Sequence, residues 1–137
     1  MTLRRGLHCV IAGALWGTVA YLLGARAFGV VIWGGVLASP VIGLVVGWAT
    51  GPWFERCAGF RRWAMALASL YLGGTMFGLA VGVHDWLAGA TGRSLTGVVG
   101  QSVLAVWWGI TVTGFLIALW PMAYATHALL EWAGENG

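Results

Sequence analysis

Residues 30–50 read VVIWGGVLASPVIGLVVGWAT, and the apolar tract around them, from Phe28 to Thr50, contains no ionisable side chain. About 20 mostly apolar residues, at 1.5 Å each, cover the roughly 30 Å of bilayer hydrocarbon, so this tract is long enough to cross a membrane. Membrane-spanning strands would be segments of about ten residues with alternating polarity, and no such alternation is present. Backbone groups in lipid must find their hydrogen bonds within the segment, which leaves the α-helix.

Working outward, three more stretches have the same character: residues 7–25, 63–83 and 103–124, the last inside an uncharged run from Ser94 to Thr126. The sequence therefore predicts an all-α integral membrane protein. Its 137 residues form one membrane domain, a small four-helix bundle with spans at 7–25, 28–50, 63–83 and 103–124 and an interfacial tail at 125–137. Composition agrees: the chain is 60% hydrophobic and 8% charged, with a mean hydropathy of +0.86, whereas charged residues make up about 25% of a soluble domain. Arg4-Arg5, an apolar stretch and Ala25-Arg26-Ala27 imitate a signal peptide. The reading retains this segment as a span; its removal would leave the remaining topology unchanged.

All seven basic residues are arginine. Basic residues resist translocation, and Arg4, Arg5, Arg56, Arg61 and Arg62 fall at one set of span ends against Arg26 and Arg93 at the other. The predicted orientation places both termini in the cytoplasm, in a bacterial cytoplasmic (inner) membrane, with anionic lipid headgroups as partners of the arginines. The clusters are short and flank apolar runs, unlike the basic stripe of a nucleic-acid-binding face, so no nucleic acid is expected. Eight tryptophans, among them Trp33, Trp48, Trp63 and Trp132, fall near predicted interfaces, where an amphipathic ring is most stable. Cys9 and Cys57 form no CxxC and are read as free thiols.

Small residues recur every four positions at Gly35, Ser39, Gly43, Gly47 and Gly51, and again at Gly74, Gly78 and Gly82, a glycine-zipper pattern that keeps them on one helix face. Such faces let backbones approach closely in lipid, where dispersion packing drives association. Counting depth puts Gly35 and Ser39 level with Gly78 and Gly74, so the second and third helices are expected to pair there. Gly43 to Gly51 is left to meet the first helix, through Gly13 and Gly17, or the fourth helix, or a second copy. Pro40 and Pro121 are expected to kink the second and fourth helices, with the chain leaving the bundle core at Pro121.

Candidates for chemistry are few. Thr18, Ser39, Thr75 and Thr113 come out near mid-bilayer, one per helix, and define a candidate polar path. The bland alternative is a hydroxyl bonded to its own helix one turn back. A proton-coupled transporter would be expected to keep a carboxylate at that depth, and none is present. His8 and His127, at the cytoplasmic boundary, are the candidate ligands for a metal or haem, without any compact ligand motif around them; no cofactor is predicted. His84 and Asp85 are adjacent on a helix, about 100° apart, and are expected to point away from each other. No nucleophile–base arrangement or phosphate-binding loop appears, so an enzyme is not expected. The sequence favours a structural or accessory subunit whose small-residue faces pack with another membrane protein or a second copy. The alternatives are an oligomeric small transporter or channel and a haem- or metal-bearing redox subunit.

Overall fold

The computed structural model describes residues 2–29, 32–89, 92–112 and 114–135. The described chain is helical, with no strand among those residues. Helix α1 spans Leu3–Leu23 and continues as a π-helical turn, Gly24–Phe28; α2 spans Trp33–Arg56, α3 Phe60–Leu87, α4 Leu95–Val112 and α5 Leu116–Glu135. Four segments are long and apolar enough to cross a membrane: Leu3–Arg26, Trp33–Arg56, Phe60–Leu87 and Leu95–Val112. Their outer faces carry exposed Leu37, Trp48 and Leu104, side chains suited to a lipid surround.

Local chemistry sets the helix ends. The Thr2 hydroxyl accepts the backbone N–H of Arg5 at 3.3 Å and caps α1. Gly29, Gly59 and Gly114 adopt positive φ, the left-handed conformation that suits glycine at a helix break. Gly114, with φ at +77°, ends the predicted fourth span early. The expected single helix over 103–124 is instead two: α4 begins at Leu95 and stops at Val112, and Pro121 lies inside α5 rather than at a break. The left-handed glycine, not the proline, marks the exit from the fourth helix.

Pro40 does not end α2 either. A proline at position 40 cannot donate to the carbonyl of Val36, but the Ser39 hydroxyl donates to that oxygen at 2.7 Å. The side chain beside the proline thus replaces the missing backbone bond.

Helices α1 and α2 form an antiparallel pair in one register. A Cβ built on Gly13 would overlap the carbonyl oxygen of Ser39 and lie 2.8 Å from Cα of Gly43. One on Gly17 would meet Ser39 Oγ, one on Gly47 would lie 2.5 Å from Cys9 Sγ, and one on Gly51 2.7 Å from the Arg5 guanidinium. Ser39, Gly43, Gly47 and Gly51 thus face α1 at Gly17, Gly13, Cys9 and Arg5, four residues apart along both helices. Gly35 turns to α3, where a Cβ would strike the Phe77 ring.

The expected pairing of Ser39 with Gly74 is not observed. Gly74, Gly78 and Gly82 face α4: their added Cβ atoms would lie 2.9 Å from Ile110, 2.7 Å from Cα of Val103 and 2.6 Å from Cα of Val99. A depth count says nothing about rotation, and the rotation of α3 turns its small face toward its hairpin partner. The helices therefore form a row, α1–α2–α3–α4, in which α1 and α4 do not meet among the described residues.

Helix α5 departs from this row. The α3–α4 register, Gly82 with Val99 and Gly78 with Val103, would bring residue 119 to Arg62 if continued. Instead Arg62 pairs with Glu131, twelve residues or roughly 18 Å of helix farther on. Helix α5 lies across one end of the bundle, touching α3, α2 and α1.

The Ser39 substitution for a backbone bond predicts a coupled pair. Ser39→Ala should destabilise the protein by about 1–2 kcal/mol, because it leaves the Val36 carbonyl without a donor. With Pro40→Ala already in place the same change should cost much less, since alanine restores the backbone N–H that proline lacks. A double-mutant cycle on unfolding in detergent measures this; additive effects would disprove the replacement.

Candidate functional site

The row of helices curves around a half-open cavity of about 590 Å³, lined by all five helices. Its walls are almost entirely apolar. Gly13, Gly17, Gly43, Gly47, Gly73 and Gly74 supply part of the lining from α1, α2 and α3, because glycine removes side chains from the interior as well as permitting contact. Helices α1 and α4 flank the cavity without meeting, and α5 brings Leu119, Ala123, Thr126 and His127 to it.

The polar lining consists of Ser39, Ser69, Ser102, Thr126 and His127, with the indole N–H groups of Trp16 and Trp108. Each hydroxyl donates within its own helix: Ser39 to Val36, Ser69 to Ala66 at 2.8 Å, Ser102 to Val98 at 3.0 Å and Thr126 to Met122 at 2.8 Å. Thr126 also accepts the indole N–H of Trp16 at 3.1 Å. A hydroxyl has one proton to give, so these four present no donor to a molecule in the cavity.

His127 sits where α5 crosses α2. Its ring stacks on Phe54, with centroids 4.9 Å apart and planes at 22°, and Nε2 lies 3.4 Å from Thr50 Oγ1. Thr50 donates to the Val46 carbonyl at 2.7 Å, so its oxygen can only accept from His127. The proton therefore belongs on Nε2, and Nδ1 is left as an acceptor. Burial, followed by the nearby Arg5 guanidinium, lowers the imidazole pKa from its ordinary 6.5 to about 4.

A polar and aromatic cluster holds this end of the bundle together. Arg5 pairs with Glu55, and Arg62 with Glu131. The Arg62 guanidinium lies 4.6 Å from the centroid of the Phe54 ring, and its Nε donates at 3.3 Å to the Phe54 carbonyl in the last turn of α2, an oxygen that also accepts the Cys57 N–H at 3.2 Å. Trp63 stacks on Tyr124 at 4.2 Å, and Trp120 donates its indole N–H to the Trp63 carbonyl at 2.7 Å. Phe54, Ala66, Leu70, Ile110, Leu119 and Ala123 form the buried cluster beneath.

Among the described residues, the predicted mid-bilayer positions do not converge. Thr18 is exposed and donates to Ala14 at 3.1 Å, Ser39 is buried against α1, and Thr75 donates to Tyr71 at 2.8 Å while accepting the Trp107 indole N–H at 2.9 Å. Thr113 lies outside the described residues. His8 is half-buried on α1, and no group of three or more His, Cys, Asp or Glu side chains able to hold a metal occurs among the described residues. His84 and Asp85, expected to diverge, come within 3.3 Å of each other between Nδ1 and Oδ1. Both are about half exposed at the end of α3, where the side chains have room to curl together.

The sequence reading missed Trp16, Thr50, Phe54 and Thr126. One signal was available for the end of α5: Leu119, Ala123 and His127 recur at four-residue spacing, which places the histidine on the buried stripe. Comparison of the chain with protein-family models, with curated proteins and with solved structures finds no match.

The buried imidazole predicts a pH dependence. Between about pH 6.5 and pH 4 the unfolded state takes up a proton that folded His127 refuses, so stability falls as pH drops through that window and levels off below it. The difference is up to about 3 kcal/mol. Thermal unfolding in detergent at pH 7.5 and pH 4.5 should show a larger loss for the wild type than for His127→Gln, and equal losses would refute this protonation state.

Proposed function

We propose that the chain is an integral membrane protein of a cytoplasmic membrane that holds one lipophilic molecule in the cavity between α1 and α4, serving as an accessory component rather than an enzyme. The observation that carries this reading is the cavity: half open, apolar, and bordered by hydroxyls whose protons are all committed to their own helices. Its volume falls in the range of small-molecule sites, about 300–1,000 Å³. A cavity of that size suits a single lipid chain. The small-residue faces favour the same choice, since Gly35, Ser39, Gly43, Gly47, Gly51, Gly74, Gly78 and Gly82 all have neighbours within the chain and are not spare surfaces for a second protein.

Arginine distribution supports an orientation with both ends in the cytoplasm. Arg5 and Arg62 lie at the same end of the bundle, joined through Glu55 and Glu131 to the α2 terminus and to α5. Arg4, Arg56 and Arg61 belong to that end, whereas Arg26 and Arg93 belong to the other. Five basic residues against two favour cytoplasmic placement of the larger group, where anionic headgroups offer partners to Arg4, Arg56 and Arg61.

Two measurements test this function. Native mass spectrometry after mild detergent extraction should show about one lipid-sized adduct per chain. Gly109 lines the cavity and an added Cβ there meets nothing within 4 Å, so Gly109→Leu should fill the space, keep the fold and remove the adduct. Retention of the adduct by the folded variant would refute the site. For orientation, cysteines placed at positions 4 and 61 should label from the cytoplasm and one at 93 from outside.

A further inference from the structure

The hydrogen-bonding inventory of the cavity identifies the kind of head group its occupant carries. All four hydroxyls in the lining have their protons engaged, and the described residues that line the cavity include no carboxylate, lysine or arginine. Two polar groups of the lining remain: the indole N–H of Trp108, 68% exposed on α4, and Nδ1 of His127. The histidine is 6% exposed, its Nε2 is turned to Thr50, one ring face is covered by Phe54, and the residue lines the cavity. No buried side-chain nitrogen or oxygen among the described residues is both enclosed and without a partner, so Nδ1 is not sealed off from a molecule that reaches His127 through the cavity it lines. Apart from the Trp108 indole N–H on α4, the polar groups of the lining offer acceptors.

This selects against an anion. A carboxylate or phosphate placed against Nδ1 would lose its water and meet an acceptor where it needs an N–H or O–H, at the desolvation cost of a charge. A chain without a polar head would leave Nδ1 unsatisfied, and a chain ending in a donor satisfies both sides. We propose that the occupant is a neutral single-chain lipid alcohol or phenol, its hydroxyl donating to Nδ1 of His127 and its hydrocarbon lying between α1 and α4. This rests on the cavity being the binding site.

The shared chemistry is a hydroxyl on hydrocarbon, and its source is either an alkanol such as a polyprenol or a phenol such as a prenylated hydroquinone. The test uses delipidated full-length protein in detergent at pH 8 and three probes of equal chain length: oleyl alcohol, its methyl ether and oleate. Binding is read by quenching of tryptophan fluorescence and by native mass spectrometry. The alcohol is expected to bind about tenfold or more tightly than the ether and more tightly still than oleate. His127→Phe keeps a ring to stack on Phe54 but removes the acceptor, and should bring alcohol and ether to equal affinity while both still bind.

Equal binding of all three probes by the wild type, or an unchanged preference in His127→Phe, would overturn the head-group assignment and leave the lipid cavity standing. Failure of every probe to bind the wild type, or binding that Gly109→Leu leaves unchanged, would instead overturn the cavity reading. Geranylgeraniol and a short-chain prenyl hydroquinone, compared on the same protein, separate the two sources by which binds more tightly.

Discussion

Backbone contact between α1 and α2 governs the rest of the molecule. At Gly13, Gly43 and Gly17 the two helices come so close that a single added carbon would overlap the opposite chain. Because lipid tails are as apolar as leucine, such proximity is held by dispersion between well-fitted surfaces rather than by escape from water. Firm attachment to α2 keeps α1 away from α4. Glycines on α3 bind α4 in the same manner, and two tight hairpins joined side by side leave the space between their outer helices unfilled.

That space is closed at one end by α5, whose placement is enforced by several independent attachments. Glu131 engages Arg62, Trp120 and Tyr124 engage Trp63, and His127 engages Phe54 and Thr50. Arg62 has three tasks at once: it donates to the last turn of α2, covers the Phe54 ring and anchors α5. The side chains of Arg62 and Glu131 are about a quarter exposed or less, so their mutual pairing matters more than it would at a fully solvated surface. The polar chemistry of the chain is concentrated where the helices end, and the interior is left to hydrocarbon.

Much of the architecture was legible from residue patterns alone. Uncharged runs of sufficient length marked three of the four helices long and apolar enough to cross a membrane and contained the fourth without its bounds, and the four-residue spacing from Ser39 to Gly51 identified a close-packing face that meets α1 at Gly13 and Gly17. The pattern did not reveal rotation: Gly74, Gly78 and Gly82 could pack against either neighbour, and three-dimensional packing alone chose α4. Nor did the uncharged stretch from Ser94 to Thr126 show its own break, because Gly114 is one glycine among many and only its positive φ distinguishes it. Pro40 and Pro121 were more conspicuous and less consequential. The site was largely hidden, since in the sequence His127 belongs to an interfacial tail, and only the path of α5 back over Phe54 makes it part of a cavity wall.

The early turn at Gly114 also bears on the membrane around the protein. Helix α3, with 28 residues, is about 42 Å long, and its partner α4, with 18, is about 27 Å. Between Arg61-Arg62 and His84-Asp85 the apolar stretch of α3, residues 63–83, is about 32 Å long, close to the roughly 30 Å of bilayer hydrocarbon, and α4 falls slightly short of it. Lipids can match both only by tilting the bundle or by thinning locally beside α4. In a bilayer the chain would thus meet an uneven thickness, lowest along α4, a flank of the cavity.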